Sequence, residues 1–113
     1  MPFIDSKITM KVRPEIKEEI KQELGKAVAA LNKSETYLMV GMEDGYELWM
    51  AGEKLEKGAY VSVSLFGNAP SAAYEEMTAK ICGIYNKLLG IPASAVYVTY
   101  HPVSDWGWNG RNF

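Results

Sequence analysis

The chain has 113 residues, 48% of them hydrophobic and 23% charged, with a net charge of −2. That describes one ordinary globular domain over residues 1–113, and the faint negative charge without any basic run argues against a nucleic-acid partner. No apolar stretch approaches membrane-span length, the first residues lack a signal-peptide core, and lone Cys82 and lone His101 leave no internal disulfide and no Cys or His metal cluster. The expected compartment is the cytoplasm, or the exterior by a route that needs no classical signal peptide.

The opening PFIDSKITM alternates Phe3, Asp5, Lys7 and Thr9 with Ile4, Ser6, Ile8 and Met10. Period two with β-branched residues predicts a half-buried strand that fixes Pro2 at its start. Should Met1 be removed, Pro2 becomes a secondary amine held on a rigid element. Then RPEIKEEIKQELGKAVAALNK places Ile16, Ile20, Leu24, Val28 and Leu31 at helical spacing, with Pro14 and several Glu residues suited to the first turn. TYLMVGM is a nearly continuous apolar run and reads as a buried strand. Glu43-Asp44-Gly45 signals a turn, YELWM a returning strand, and AGEKLEKG a polar loop.

AYVSVSLFG alternates again. It is followed by NAPSAAYEEMTAKICGIYNKLLG, a helix whose stripe is Tyr74, Met77, Ile81, Ile84, Tyr85 and Leu88. Cys82 beside that stripe reads as a packed, inert thiol. Gly90 and Pro92 stop the helix. AVYVTY is a strand, and the Trp-containing tail SDWGWNGRNF shows no helix signal.

Pro2–Tyr37 and Ala59–Tyr97 therefore look like two copies of one β-α-β unit. Two units predict an α+β two-layer sandwich: a four-stranded sheet with both helices on one face, plus short extra strands. The other face keeps Tyr60, Trp49 and the MVGM run without cover, and an apolar face of that size marks association.

At this point the residues resemble a known family. Pro2 opens a strand, Lys33 precedes Tyr37-Leu38-Met39-Val40, Ser64-Leu65 end a strand, and Val96-Tyr97-Val98-Thr99-Tyr100 lead to Gly107-Trp108-Asn109. Together these resemble macrophage migration inhibitory factor and its relatives in the tautomerase superfamily, over essentially the whole chain. The resemblance implies a homotrimer whose sheets wrap a central channel. It implies cofactor-free keto–enol tautomerisation of aryl α-keto acids such as phenylpyruvate, with processed Pro2 as general base. Lys33 would hold the substrate carboxylate or polarise its oxygen, the backbone N–H of Leu65 beside Ser64 would donate to the same end, and Tyr97 would come from a neighbouring subunit. Trp108 and Phe113 would grip the ring. The resemblance equally implies a receptor-binding, cytokine-like role at the cell surface, with turnover incidental.

The chain also departs from the family. Lys57 and Tyr60 stand where the mammalian cytokine has a Cys-X-X-Cys pair, so thiol–disulfide activity is not expected. Thr99 replaces an Asn that reaches the far end of the pocket. Trp106 replaces a smaller apolar residue and narrows the rim. Arg13 and Arg111 are the only arginines, too few to suggest a dicarboxylate site of the small bacterial tautomerases.

Overall fold

The computed structural model describes residues 1–113. The alternating segments form the two long inner strands, β1 (Pro2–Ile8) and β5 (Ala59–Phe66), which pair antiparallel with Pro2 opposite Leu65. Each strand is followed by a helix and a parallel partner. Helix α1 (Pro14–Ala27) leads to β2 (Met39–Glu43), and helix α2 (Ser71–Leu89) leads to β6 (Val96–Val103). The sheet order is β2-β1-β5-β6. Two β-α-β units thus meet at the β1–β5 pair, with both helices packed on one face.

The core follows from the two periodicities. Ile4, Ile8, Val61 and Val63 point from one face of the sheet onto Ile20 and Leu24 of α1 and Met77, Ile81 and Tyr85 of α2. Ser6 shares this buried face, and its hydroxyl hydrogen-bonds the Tyr85 hydroxyl, so neither polar group is left without a partner. Burial pushes the Tyr85 phenol up to about 12, against the lowering effect of the Ser6 bond. Cys82 is half-buried beside this layer and burial raises its thiol, which agrees with an inert role.

Several expected boundaries move. TYLMVGM joins a strand only from Met39, as Met39–Glu43; Tyr37 ends a short 3-10 turn, Glu35–Tyr37. That strand is not buried. It lies at the sheet edge and Met39 is 67% exposed, because an apolar run does not say which edge it occupies. The first β-α-β unit therefore extends past Tyr37 to Glu43, and the second past Tyr97 to Val103. YELWM shrinks to β3 (Trp49–Met50), and β4 (Glu53–Lys54) arises in the segment expected to be loop. These two form a ribbon apart from the main sheet. The tail is a hairpin, β7 (Gly107–Trp108) and β8 (Arg111–Asn112). Asn109 (φ 55°) and Gly110 (φ 80°) make its turn, the left-handed pair that a two-residue hairpin requires.

The sheet's second face carries no helix. Phe3, Asp5 and Lys7 lie across from Ser64, Ser62 and Tyr60, and these across from His101, Thr99 and Tyr97. Tyr60, Thr99 and His101 form a hydrogen-bonded chain there, with Oη to Oγ1 at 2.7 Å and Oγ1 to Nε2 at 2.9 Å.

The Ser6–Tyr85 pair gives a stability prediction. Tyr85→Phe leaves a buried hydroxyl unpaired and costs about 1–3 kcal/mol, read as a lower urea midpoint at unchanged slope. The folded-state phenol titrates above its unfolded range, so wild-type stability is fully present below pH 10 and falls as pH rises toward 12. Tyr85→Phe removes Tyr85's share of that decline.

Candidate active site

The start of β1, the end of β5 and the tail hairpin converge on one cavity of about 760 Å³. Pro2, Ser64, Trp106 and Trp108 line it, with Tyr37 and Met39 from the entry to β2. Pro2 is buried on the sheet, and the Met1 carbonyl accepts the Phe66 N–H at 3.0 Å. With Met1 attached, the Pro2 nitrogen is an amide and has no basic lone pair. The terminal amine is then that of Met1, and its pKa is lowered, first by burial and second by the positive charge of Lys33.

Local sequence aims Lys33 at this point. Helix α1 tightens into a 3-10 turn at Val28–Leu31, and Asn32 takes the left-handed conformation (φ 57°) that Asn tolerates better than most residues. The chain reverses, and Lys33 Nζ donates to the Phe66 carbonyl at 2.9 Å. Ser34 caps the next turn by accepting from Thr36 N at 3.0 Å, which delivers Tyr37 to the cavity wall. Tyr37 meets Trp108 edge-on at 5.3 Å, and Phe113 stacks on Trp108 at 5.8 Å and 17°. Phe113 N–H donates to the Trp106 carbonyl at 3.1 Å, so the tail is pinned.

The expected residues divide into three groups. Pro2, Ser64 and Trp108 share the cavity; Lys33 and Phe113 adjoin it through Phe66 and Trp108. The Leu65 side chain lies outside the cavity lining. It is fully buried with the helix-facing residues, and the polar contacts at the end of β5 belong to Phe66, whose N–H and carbonyl bind Met1 and Lys33. A one-residue offset in a strand exchanges the two faces. Tyr97 and Thr99 do not reach Pro2 within one chain. Tyr97 pairs with Tyr60, five residues along β5 from Leu65, which is about 16 Å of strand. Tyr97 is 66% exposed on the face without helices.

Comparison with known proteins places the chain in a family. The sequence matches the family model for Macrophage migration inhibitory factor (MIF) over residues 1–113. The chain belongs to the macrophage migration inhibitory factor family. Among solved structures it is similar to Leishmania major MIF2, at 28% identity and a TM-score of 0.93, covering 100% of this chain and 97% of that one. It is also similar to the macrophage migration inhibitory factor homologue of Prochlorococcus marinus, at 26% identity and a TM-score of 0.87, covering 98% of each chain. A fused 4-OT, solved as a symmetric trimer, shares the fold at 18% identity and a TM-score of 0.86, covering 97% of this chain and 94% of that one. A search of curated protein sequences gives no match. The family match supports a role like that of macrophage migration inhibitory factor, and no helix is long and apolar enough to cross a membrane.

The sequence does not single out Tyr37, Met39, Phe66 or Asp105 as site residues. Phe66 lies one residue past the alternation that runs to Leu65. Asp105 sits in a polar tail with nothing around it to mark a cavity wall. The Lys33 charge is directly testable in protein that retains Met1: Lys33→Met raises the pKa of the Met1 amine toward its ordinary value, read from the pH dependence of its acylation rate.

Proposed function

We propose that the chain is a cofactor-free keto–enol tautomerase of aryl α-keto acids such as phenylpyruvate. Pro2, freed by removal of Met1, is the general base. The observation that carries this reading is the Met1–Phe66–Lys33 arrangement beside an aromatic cavity that Met1 and Pro2 line. Loss of Met1 does two things at once. It turns the Pro2 amide into an amine beside a cation in a buried site, conditions that lower an amine's pKa toward working pH. It also releases the Phe66 N–H, which then points at the same space as an unpaired donor.

In the proposed reaction the substrate carboxylate lies against Lys33 and the Phe66 N–H. Pro2 nitrogen takes a proton from the carbon beside the ketone. The C–H electron pair becomes the new carbon–carbon double bond, and the carbonyl π pair moves to oxygen. The protonated Pro2 returns the proton to that oxygen; the reverse direction uses the same steps. The Lys33 ammonium, which has three donors, also stabilises the developing oxyanion. Trp108 and Phe113 hold the ring.

Tyr97 and Thr99 enter the site only from another copy, so the active form is a homotrimer assembled through the helix-free sheet faces. A second reading, a receptor ligand with incidental turnover, is favoured by the aromatic residues Tyr37, Trp108 and Phe113 exposed at the cavity mouth. A Pro2→Gly protein that signals without turnover would support it.

Intact mass and a phenylpyruvate enol–keto assay on one sample test the mechanism. Protein lacking Met1 is active. Pro2→Ala lowers kcat/KM by about 10²-fold or more, the ordinary worth of a general base. Lys33→Ala lowers it by about 10²-fold. Full turnover in protein that retains Met1 rules out Pro2 as the base. Native mass spectrometry finds a trimer; an active monomer excludes shared Tyr97 sites.

A further inference from the structure

A chain that keeps Met1 presents a different nucleophile at the same cavity. Met1 lines that space together with Tyr37, Trp106 and Trp108. The Phe66 N–H donates to the Met1 carbonyl at 3.0 Å, and the Phe66 carbonyl accepts from Lys33 Nζ at 2.9 Å. One residue of β5 thus holds the terminal residue by its N–H and the lysine by its carbonyl. No carboxylate forms an ion pair with the terminal amine. Partial burial, and after it the charge of Lys33, hold that amine below its ordinary range. More of it is therefore unprotonated near neutral pH than of an ordinary terminal amine. An ordinary lysine amine, with a pKa of about 10.4, is almost wholly protonated at the same pH. A primary amine that is desolvated beside another cation is activated to condense with carbonyl compounds.

We propose that the Met1-bearing form captures α-keto acids as imines on the Met1 amine, with the carboxylate against Lys33 and the apolar side chain against Trp106 and Trp108. The amine lone pair attacks the keto carbon, and the carbonyl π pair moves to oxygen. A proton passes from nitrogen to that oxygen. Water then leaves as the nitrogen lone pair closes the C=N bond. One water is released, and no oxidant or reductant takes part. Lys33 has three N–H donors, so it binds the carboxylate without giving up the Phe66 carbonyl. The Phe66 N–H stays with Met1 in this form, which leaves the carboxylate to Lys33. This activity goes beyond the tautomerase reading and does not rest on it, because Pro2 remains an amide throughout.

The test uses protein whose intact mass shows Met1 retained, incubated with phenylpyruvate and cyanoborohydride. Reduction turns the imine into a stable secondary amine. The adduct adds the keto acid less one oxygen, and peptide mapping places it on Met1 rather than on a lysine. Phenylacetone, with a methyl group in place of the carboxylate, is run beside it. Each rate at Met1 is divided by that of the same chain unfolded in guanidinium chloride, which cancels the intrinsic reactivity of the ketone. On that scale phenylpyruvate exceeds one and exceeds phenylacetone by about tenfold, the worth of one charge-assisted hydrogen bond. Lys33→Met, shown by circular dichroism to be folded, brings the two ketones to within about twofold. Lys33→Arg keeps the charge and most of the difference. A phenylpyruvate ratio of one or less, or a keto-acid preference unchanged in Lys33→Met, overturns the proposal. Enol–keto turnover is measured on protein lacking Met1, so failure of either reading leaves the other standing.

Discussion

A chain terminus stays still only when ordering it is outweighed by what it joins, and here the first strand lies inside the sheet. β1 has β2 on one side and β5 on the other, so its residues are hydrogen-bonded along both edges. Ile4 and Ile8 add a fully buried apolar face to that pairing. Everything at the cavity depends on this anchoring. Fixing the backbone of a free end costs roughly 1–2 kcal/mol per residue, and a mobile end would have to meet that cost with each substrate it bound. With β1 locked, the cost is met by folding, and Pro2, Phe66 and Lys33 keep their mutual positions before any ligand arrives.

The same anchoring explains why the cavity is built from distant pieces. Lys33 comes from the turn after α1, Phe66 from the end of β5, and the aromatic walls from the β2 entry and the tail hairpin. All of them lie at one end of the β1–β5 pair. The crossover through α1 returns the chain to that end before β2, while the crossover through α2 returns it to the opposite end and β6 then carries it back, so the tail hairpin starts beside Phe66. The helix-free face is a separate consequence. Both helices lie on one side, so Tyr97, Thr99 and His101 keep a polar and aromatic surface that nothing in the chain covers.

Sequence told most where a pattern had one solution. Period two in PFIDSKI and AYVSVSLF gave the inner strands and their buried faces, and the helical stripes of α1 and α2 gave the residues that meet them. It told less at the edges. TYLMVGM reads as buried because its residues are apolar, yet β2 lies at the sheet edge with Met39 exposed. The contacts at the end of β5 fall to Phe66, because the residue type at a strand end does not reveal which carbonyl a lysine thirty-odd positions away will find. Asp105 was invisible for the same reason: only the hairpin after it turns a solvent-facing loop into a cavity wall. Trp106 and Asn109-Gly110 were visible as types, and the fold supplied their purpose.

The Met1–Phe66 bond has a consequence in time. A processing peptidase needs an extended, reachable end, and the finished fold holds Met1 on the sheet by a backbone bond at 3.0 Å with Pro2 buried behind it. The strand that supplies Phe66 is made well after the first one leaves the ribosome. At about 5–20 residues per second, the delay between β1 and β5 is on the order of 3–12 s. If Pro2 is the base, as proposed above, the active fraction would be set during synthesis, by a race between an aminopeptidase and the arrival of β5.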